Sequence, residues 1–217
     1  WEVDNYERIS AYDGREDDLS DIIHGRYPSN MSSGEVGCVT SHLKLLKHFL
    51  ETSDSPYCIV MEDDVDMSLI PLWNTSLRKF IRKAPTDWNM LQLSLVRPER
   101  CAIPDSSEFR DRSKSKINYW GAQAYLINRA GMELILNSCD YLENNKIVLR
   151  KHHRQITNLC ADYYLYDGPD MRVYVTKPLF VARNQQFSST IHSSHDWTHL
   201  VAYRNICNSY LYPGQHR

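Results

Sequence analysis

Apolar positions fall into two kinds of pattern along the chain. From about Gly34 to Thr52, Val36, Val39, Leu43, Leu46 and Leu50 recur three and four residues apart. That spacing predicts a helix with one buried stripe. Ser32 or Ser33 is placed to cap it, Glu35 favours its positive end, and Ser53-Asp54-Ser55-Pro56 ends it. The second pattern is a continuous apolar run, Tyr57-Cys58-Ile59-Val60-Met61. It predicts a strand buried on both faces, in a sheet covered by helices. The run stops abruptly at Glu62-Asp63-Asp64.

Further along, Leu77 to Ala84 reads as a short helix stopped before Pro85, and Asn89 to Leu95 as a second interior strand. Arg97 to Ile117 is polar and carries Pro98 and Pro104. It reads as a long loop of the kind that often forms lids or binding loops. Gln123 to Asn128 is a third strand, and Arg129 to Cys139 a helix with Met132, Ile135 and Leu136 on one face. Ile156 to Tyr166 is read as a helix ended by Asp167-Gly168-Pro169, and Val173-Tyr174-Val175 and Leu179-Phe180-Val181 as short strands on either side of Pro178. The first 33 residues, with the acidic run Arg15-Glu16-Asp17-Asp18, and the stretch from Ser188 to His199 are polar. Strands and helices alternate, so the class is α/β, with a mixed, mostly parallel sheet flanked by helices as the expectation.

Length and composition narrow the function classes. The chain has 217 residues, 42% hydrophobic and 24% charged. That is one ordinary domain, spanning 1–217, able to fold without a structural metal or disulfide. A formal charge of -2 provides no basic field for nucleic acid or an anionic membrane. No apolar run approaches the length of a membrane span. The 14 tyrosines and five tryptophans suit sugar rings, but most are read as core. None of the six cysteines forms a C-x-x-C pair. They are expected to be free thiols, which favours a cytoplasmic location. The chain opens on Trp1 rather than Met, so the natural start is expected to lie upstream, and a lumenal location stays open.

The acidic triplet is the sharpest chemical signal. Residues two apart on a strand share a face, so Glu62 and Asp64 are expected to point one way and Asp63 the other. Carboxylates this close repel, and burial raises the cost. A divalent cation relieves the repulsion, and hard oxygen ligands suit Mg²⁺ or Mn²⁺. Such a metal can hold a diphosphate and make it a better leaving group. The alternative is a solvated acidic turn; after a fully apolar strand the metal reading is preferred. Asp66 offers a second acid-x-acid pair with Asp64.

Three weaker features accompany it. Gly34 and Gly37 at a helix start would let an anionic ligand approach the backbone, with Ser41 and His42 nearby, although His42 can equally be a core histidine. Asp162, inside an apolar helix pattern, is either exposed or aimed into a site, where it could act as base or metal ligand. His192 and His195, after Ser188-Ser189, are metal or diphosphate candidates set against an exposed polar tail, and Arg150 to Arg154 is a short basic run read as a solvated loop.

Taken in order, these motifs resemble glycosyltransferase family 25, which includes bacterial lipooligosaccharide and collagen hydroxylysine galactosyltransferases. Gly34-Glu35-Val36-Gly37-Cys38-Val39-Thr40-Ser41-His42 is similar to its G-E-I-G-C-x-x-S-H motif, and Ile59 to Val65 to its strand ending E-D-D-V. Tyr119 to Gly131 is similar to its small-residue, strand, then A-G segment, and Ala161 to Leu165 to its acid-before-Leu segment. Lys177-Pro178-Leu179-Phe180 and Ser188-Ser189 follow in the family's order, and the resemblance runs from Tyr6 onward. It implies a GT-A-like fold, inversion at the anomeric carbon, Mn²⁺ (or Mg²⁺), a UDP-galactose or UDP-glucose donor, and a glycan or hydroxylysine acceptor. Carried over, Glu62, Asp64 and His192 are the metal candidates. Ser41, His42, Asp63 and Gly121 lie on the donor side, and Asp162 is the candidate general base or third metal ligand. The family's opening strand and Asn-Leu-x-x-Arg segment are not visible, and Gln92-Leu93-Ser94 stands where relatives often have a Gly-rich turn. Competing readings are a metal phosphoesterase, which would need more His or Asp ligands, and a non-catalytic glycan-binding domain, which has no reason to keep the acidic repulsion.

Overall fold

A computed structural model describes residues 6–25, 27, 30–96, 109–116, 119–141, 146–149, 159–168, 170–182 and 196–212. In chain order the elements are α1 (Leu19–Ile22), α2 (Ser33–Thr52), β1 (Tyr57–Met61), β2 (Val65–Asp66), α3 (Leu77–Lys83), β3 (Met90–Gln92), β4 (Arg110–Asp111), β5 (Ala124–Asn128), α4 (Arg129–Leu136), β6 (Asp140–Tyr141), β7 (Ile147–Val148), α5 (Ala161–Tyr166), β8 (Val173–Val175), β9 (Val181–Ala182) and α6 (Asp196–Leu211). They fall into two compact units. A sheet unit draws on residues 57–127 and 172–217, and a helical unit on residues 2–56 and 128–171.

In the sheet unit five strands lie in the order β1-β5-β3-β8-β4. β3 runs antiparallel to β5, with Leu91 opposite Leu126, and parallel to β8, with Leu91 opposite Tyr174. β4 is antiparallel to β8. β1 is antiparallel to β5, because the Glu62 amide donates to the Gln123 carbonyl at one end (2.8 Å) and the Arg129 amide to the Pro56 carbonyl at the other (3.1 Å). The α/β class stands, but the sheet is mostly antiparallel rather than mostly parallel. The reason is that β5 enters between β1 and β3 and runs against both. β1, β3 and β8 nevertheless point the same way, so their carboxyl ends share one edge of the sheet.

β1 also departs from the expectation of burial on both faces. It is the outermost strand on its side of the sheet. Val60 is buried, but Tyr57 is 36% and Met61 38% exposed. The core lies between the inner strands and α3. Phe80 of α3 packs with Leu91, Leu93, Ala124, Leu126, Tyr174, Leu179 and Phe180. Trp73 closes it, its indole N–H donating to the Leu179 carbonyl (3.1 Å) and its ring standing edge-on to Phe180. Burying each such side chain contributes roughly 1.5–3 kcal/mol. Two stretches read as irregular carry structure. The polar segment expected to be a loop supplies β4 and a short 3-10 turn, Arg112–Lys114, while residues 97–108 and 117–118 lie outside the described residues. Of the polar stretch Ser188 to His199, residues 188–195 lie outside the described residues and 196–199 begin α6, whose Ile206 packs with Leu69 and Val181.

The helical unit is built on α2. Its start is a capping box: Ser32 Oγ accepts the Glu35 amide (3.2 Å), and the Glu35 carboxylate accepts the Ser32 amide (2.7 Å). Val36, Val39, Leu43 and Leu46 are wholly buried, and Leu50 is half-buried. α2 packs on α4 and α5. At its far end Arg129 donates to the Ser53 (2.6 Å) and Leu50 (3.3 Å) carbonyls, placing a cation where the helix dipole favours one.

Candidate active site

The acids sit where the sheet unit's strands end. β1 finishes at Met61, and Glu62, Asp63 and Asp64 form a turn in which the Val65 amide donates to the Glu62 carbonyl (3.4 Å). β2 then pairs antiparallel with β9. Asp63 is exposed, while Glu62 and Asp64 are half-buried, so the alternation expected of a strand survives in the turn. Asp64 has the most perturbed environment. Burial, then the negative charges of Glu62 and Asp63, push its carboxyl up to about 7. Its Oδ1 is buried and has no hydrogen-bond partner among the described residues. Asp66, the other acid weighed, is partly committed: its Oδ1 accepts the Ser68 amide (2.6 Å). A buried carboxylate oxygen without a donor is costly, and an opposite charge beside it removes the cost.

Next to this turn lies a buried polar network that sequence reasoning did not single out as functional. Gln92, Ser94, Arg112 and Gln123 are all buried. The Gln92 amide donates to the carbonyls of Gly121 (3.0 Å) and Tyr119 (3.3 Å). Arg112 donates to Gln92 Oε1 (3.4 Å) and to the Tyr119 carbonyl. Ser94 Oγ accepts the Ala124 amide (3.1 Å) and reaches Gln123 Oε1 (3.3 Å). Gly121 has φ +131°, and a Cβ there would stand 3.0 Å from the Ser94 carbonyl oxygen. Its glycine is therefore demanded by backbone conformation and by close approach.

In the helical unit the donor-side candidates have structural ties. Ser41 Oγ donates to the Gly37 carbonyl (2.6 Å) and accepts the Tyr12 amide (2.8 Å). His42 is buried in α2. Gly37 is packed by backbone, since a Cβ would meet the Gly14 nitrogen at 2.6 Å and the Tyr12 carbonyl oxygen at 2.8 Å. It is the segment Tyr12 to Gly14, within the chain, that occupies this approach. Asp162 lies in the first turn of α5, half-buried, rather than in the middle of a helix from residue 156. The helix start favours its negative charge. Cys160 just before it is pushed up to about 12, by burial first and then by the Asp162 charge, so it is an inert thiol. Among the described residues, Cys38, Cys58, Cys139, Cys160 and Cys207 form no disulfide. His192, His195, Ser188, Ser189, the basic run 150–154 and Cys101 lie outside the described residues.

β1 delivers its acids at the edge of the sheet where β1, β3 and β8 all end, the edge at which open α/β sheets bind ligands. The family model described as glycosyltransferase family 25 (LPS biosynthesis protein) matches residues 5–148, about two thirds of the chain. The chain belongs to glycosyltransferase family 25, so it is a glycosyltransferase, an enzyme that moves a sugar from a donor to an acceptor. The comparison with curated proteins returns no match. The family match contains Ser41, His42, Glu62, Asp63, Asp64 and Gly121. It ends before Asp162 and His192, whose roles rest on motif resemblance. No helix among the described residues is long and apolar enough to cross a membrane.

Proposed function

We propose that the chain moves a hexose, galactose or glucose, from a UDP-sugar to a hydroxyl of a glycan or hydroxylysine acceptor. Transfer inverts the anomeric carbon and requires Mn²⁺ or Mg²⁺. Asp64 is the observation that carries the metal reading: a carboxyl pushed up to about 7, with a buried Oδ1 that no donor among the described residues reaches, beside two further carboxylates. That donor set fits a hard divalent cation. Bound there, the cation would neutralise the donor diphosphate as it leaves.

Glu62 and Asp64 are the proposed metal ligands, and His192 a third. Asp63, being exposed, is free to meet ribose or sugar hydroxyls. Gly121, Ser41 and His42 are the proposed donor-side residues by their motifs. Asp162 is the proposed base. It accepts the acceptor hydroxyl proton while that oxygen attacks opposite the departing diphosphate. This role rests on its motif and on its place at the start of a helix.

The test is donor hydrolysis and transfer with UDP-galactose and UDP-glucose, with Mn²⁺ and with chelator. Release of sugar that chelator abolishes and Mn²⁺ restores is the expected result. Turnover indifferent to chelator would remove the metal from the proposal, and turnover with neither donor would remove the UDP-hexose.

A further inference from the structure

The acid turn is attached to the rest of the sheet unit through a segment that has little regular structure of its own. The Glu62 amide donates to the Gln123 carbonyl at 2.8 Å. Gln123 belongs to the stretch from Tyr119 to Ala124, which passes through Gly121 at φ +131° before β5 begins. Side chains from β3 and the residues just after it hold both ends of this stretch. Gln92 grips the Tyr119 and Gly121 carbonyls, and Ser94 grips the Ala124 amide and the Gln123 side chain. Gln92 is itself held by Arg112, and its own carbonyl accepts Thr176 Oγ1 at 3.1 Å.

Such a network is an expensive way to fill a core. Gln92 is wholly buried and Ser94 is 1% exposed, in a sheet whose other face at these positions is Leu91, Leu93 and Leu95. Buried polar groups stabilise only when all are satisfied, and then they select one geometry sharply. Here the geometry selected is that of the carbonyl on which Glu62 hangs.

We propose that Ser94, supported by Gln92, is a positioning residue for Glu62, acting through the segment Gly121 to Gln123. Ser94 touches no reacting atom in this scheme. It fixes the backbone from which the first acid projects, much as outer partners orient metal ligands elsewhere. The inference about metal affinity rests on the proposed function; the inference about backbone position does not.

The experiment compares Ser94→Ala with the wild-type protein in two measurements. The first is amide hydrogen exchange without metal. The Glu62 amide should exchange roughly fivefold faster or more in the variant. The Asn89 amide, which donates to the Arg172 carbonyl at 2.8 Å at the opposite end of β3, is the control and should stay unchanged. The second is calorimetric titration with Mn²⁺ alone, where affinity should fall roughly 10–100-fold. Unchanged exchange at Glu62 would overturn the proposal. So would equal acceleration at Asn89, which is the signature of general loosening. If the wild-type protein takes up no Mn²⁺, the metal reading fails while the exchange result still decides whether Ser94 positions Glu62.

Discussion

Replacing Asp64 by asparagine keeps the shape of the side chain and removes its charge. In the folded protein, burial and the neighbouring Glu62 and Asp63 raise the Asp64 carboxyl from 3.8 to about 7. That gap corresponds to about 4 kcal/mol. Part of it is screened, because Asp64 is only half-buried and Asp63 lies in solvent, so about 2–4 kcal/mol is the working range. The sign follows from proton counting. Below pH 4 the carboxyl is neutral in both folded and unfolded chains and costs nothing. Between pH 4 and pH 7 the folded chain holds a proton that the unfolded chain has released, so stability falls as pH rises. Above pH 7 the whole penalty is present. Asparagine has no such penalty, although its own polar atoms need partners at a cost independent of pH. The assay is urea unfolding of both proteins in chelator from pH 4 to pH 8. The stability of Asp64→Asn relative to wild type should climb by about 2–4 kcal/mol across that range. A difference that stays flat with pH would refute the electrostatic argument.

Three further outcomes are expected. Gly37→Ala should lower stability by about 1–3 kcal/mol, because its Cβ would press on backbone atoms of Tyr12 and Gly14 that cannot swing aside; an unchanged urea midpoint would contradict this. Ile206→Ala should cost about 2–5 kcal/mol, since Ile206 is wholly buried under α6 against Leu69 and Val181. A loss under 0.5 kcal/mol by the same measure would show α6 to be loosely attached. Asp162→Asn should lower kcat by roughly 100-fold or more with little change in donor KM, if Asp162 is the base. Unimpaired turnover would reduce it to a helix-start acid.

Much of the local structure was legible because one signal dominated each element. α2 has a serine placed to cap it and a stripe at Val36, Val39, Leu43 and Leu46; the structure has both, and adds the reciprocal bond from the Ser32 amide to Glu35. β1, α3, β5, α4 and β8 fall within or at the edges of their expected ranges. Strand direction was not legible. Tyr57 to Met61 is apolar throughout, yet it is an edge strand, because composition records affinity for a sheet and not the neighbour chosen. α6 was missed because its buried positions, Ala202, Ile206 and Ser209, form a narrow stripe with only one large apolar side chain. The acid turn was legible in full as a cluster of like charges at a strand end. The network beside it was not. Asn89 to Leu95 reads as an interior strand, but nothing in Leu91-Gln92-Leu93-Ser94-Leu95 says which groups satisfy Gln92 and Ser94. Here the polar face is buried and satisfied by a segment almost thirty residues away, a pairing that only tertiary structure reveals.

The proposed transfer requires that Glu62 and Asp64 hold a divalent cation. Calorimetric titration of Mn²⁺ into wild type and Asp64→Asn, each with UDP present, tests this directly. One ion bound per wild-type chain, with that binding lost in the variant, is the predicted result. Equal binding by the two proteins, or none by wild type, would contradict it.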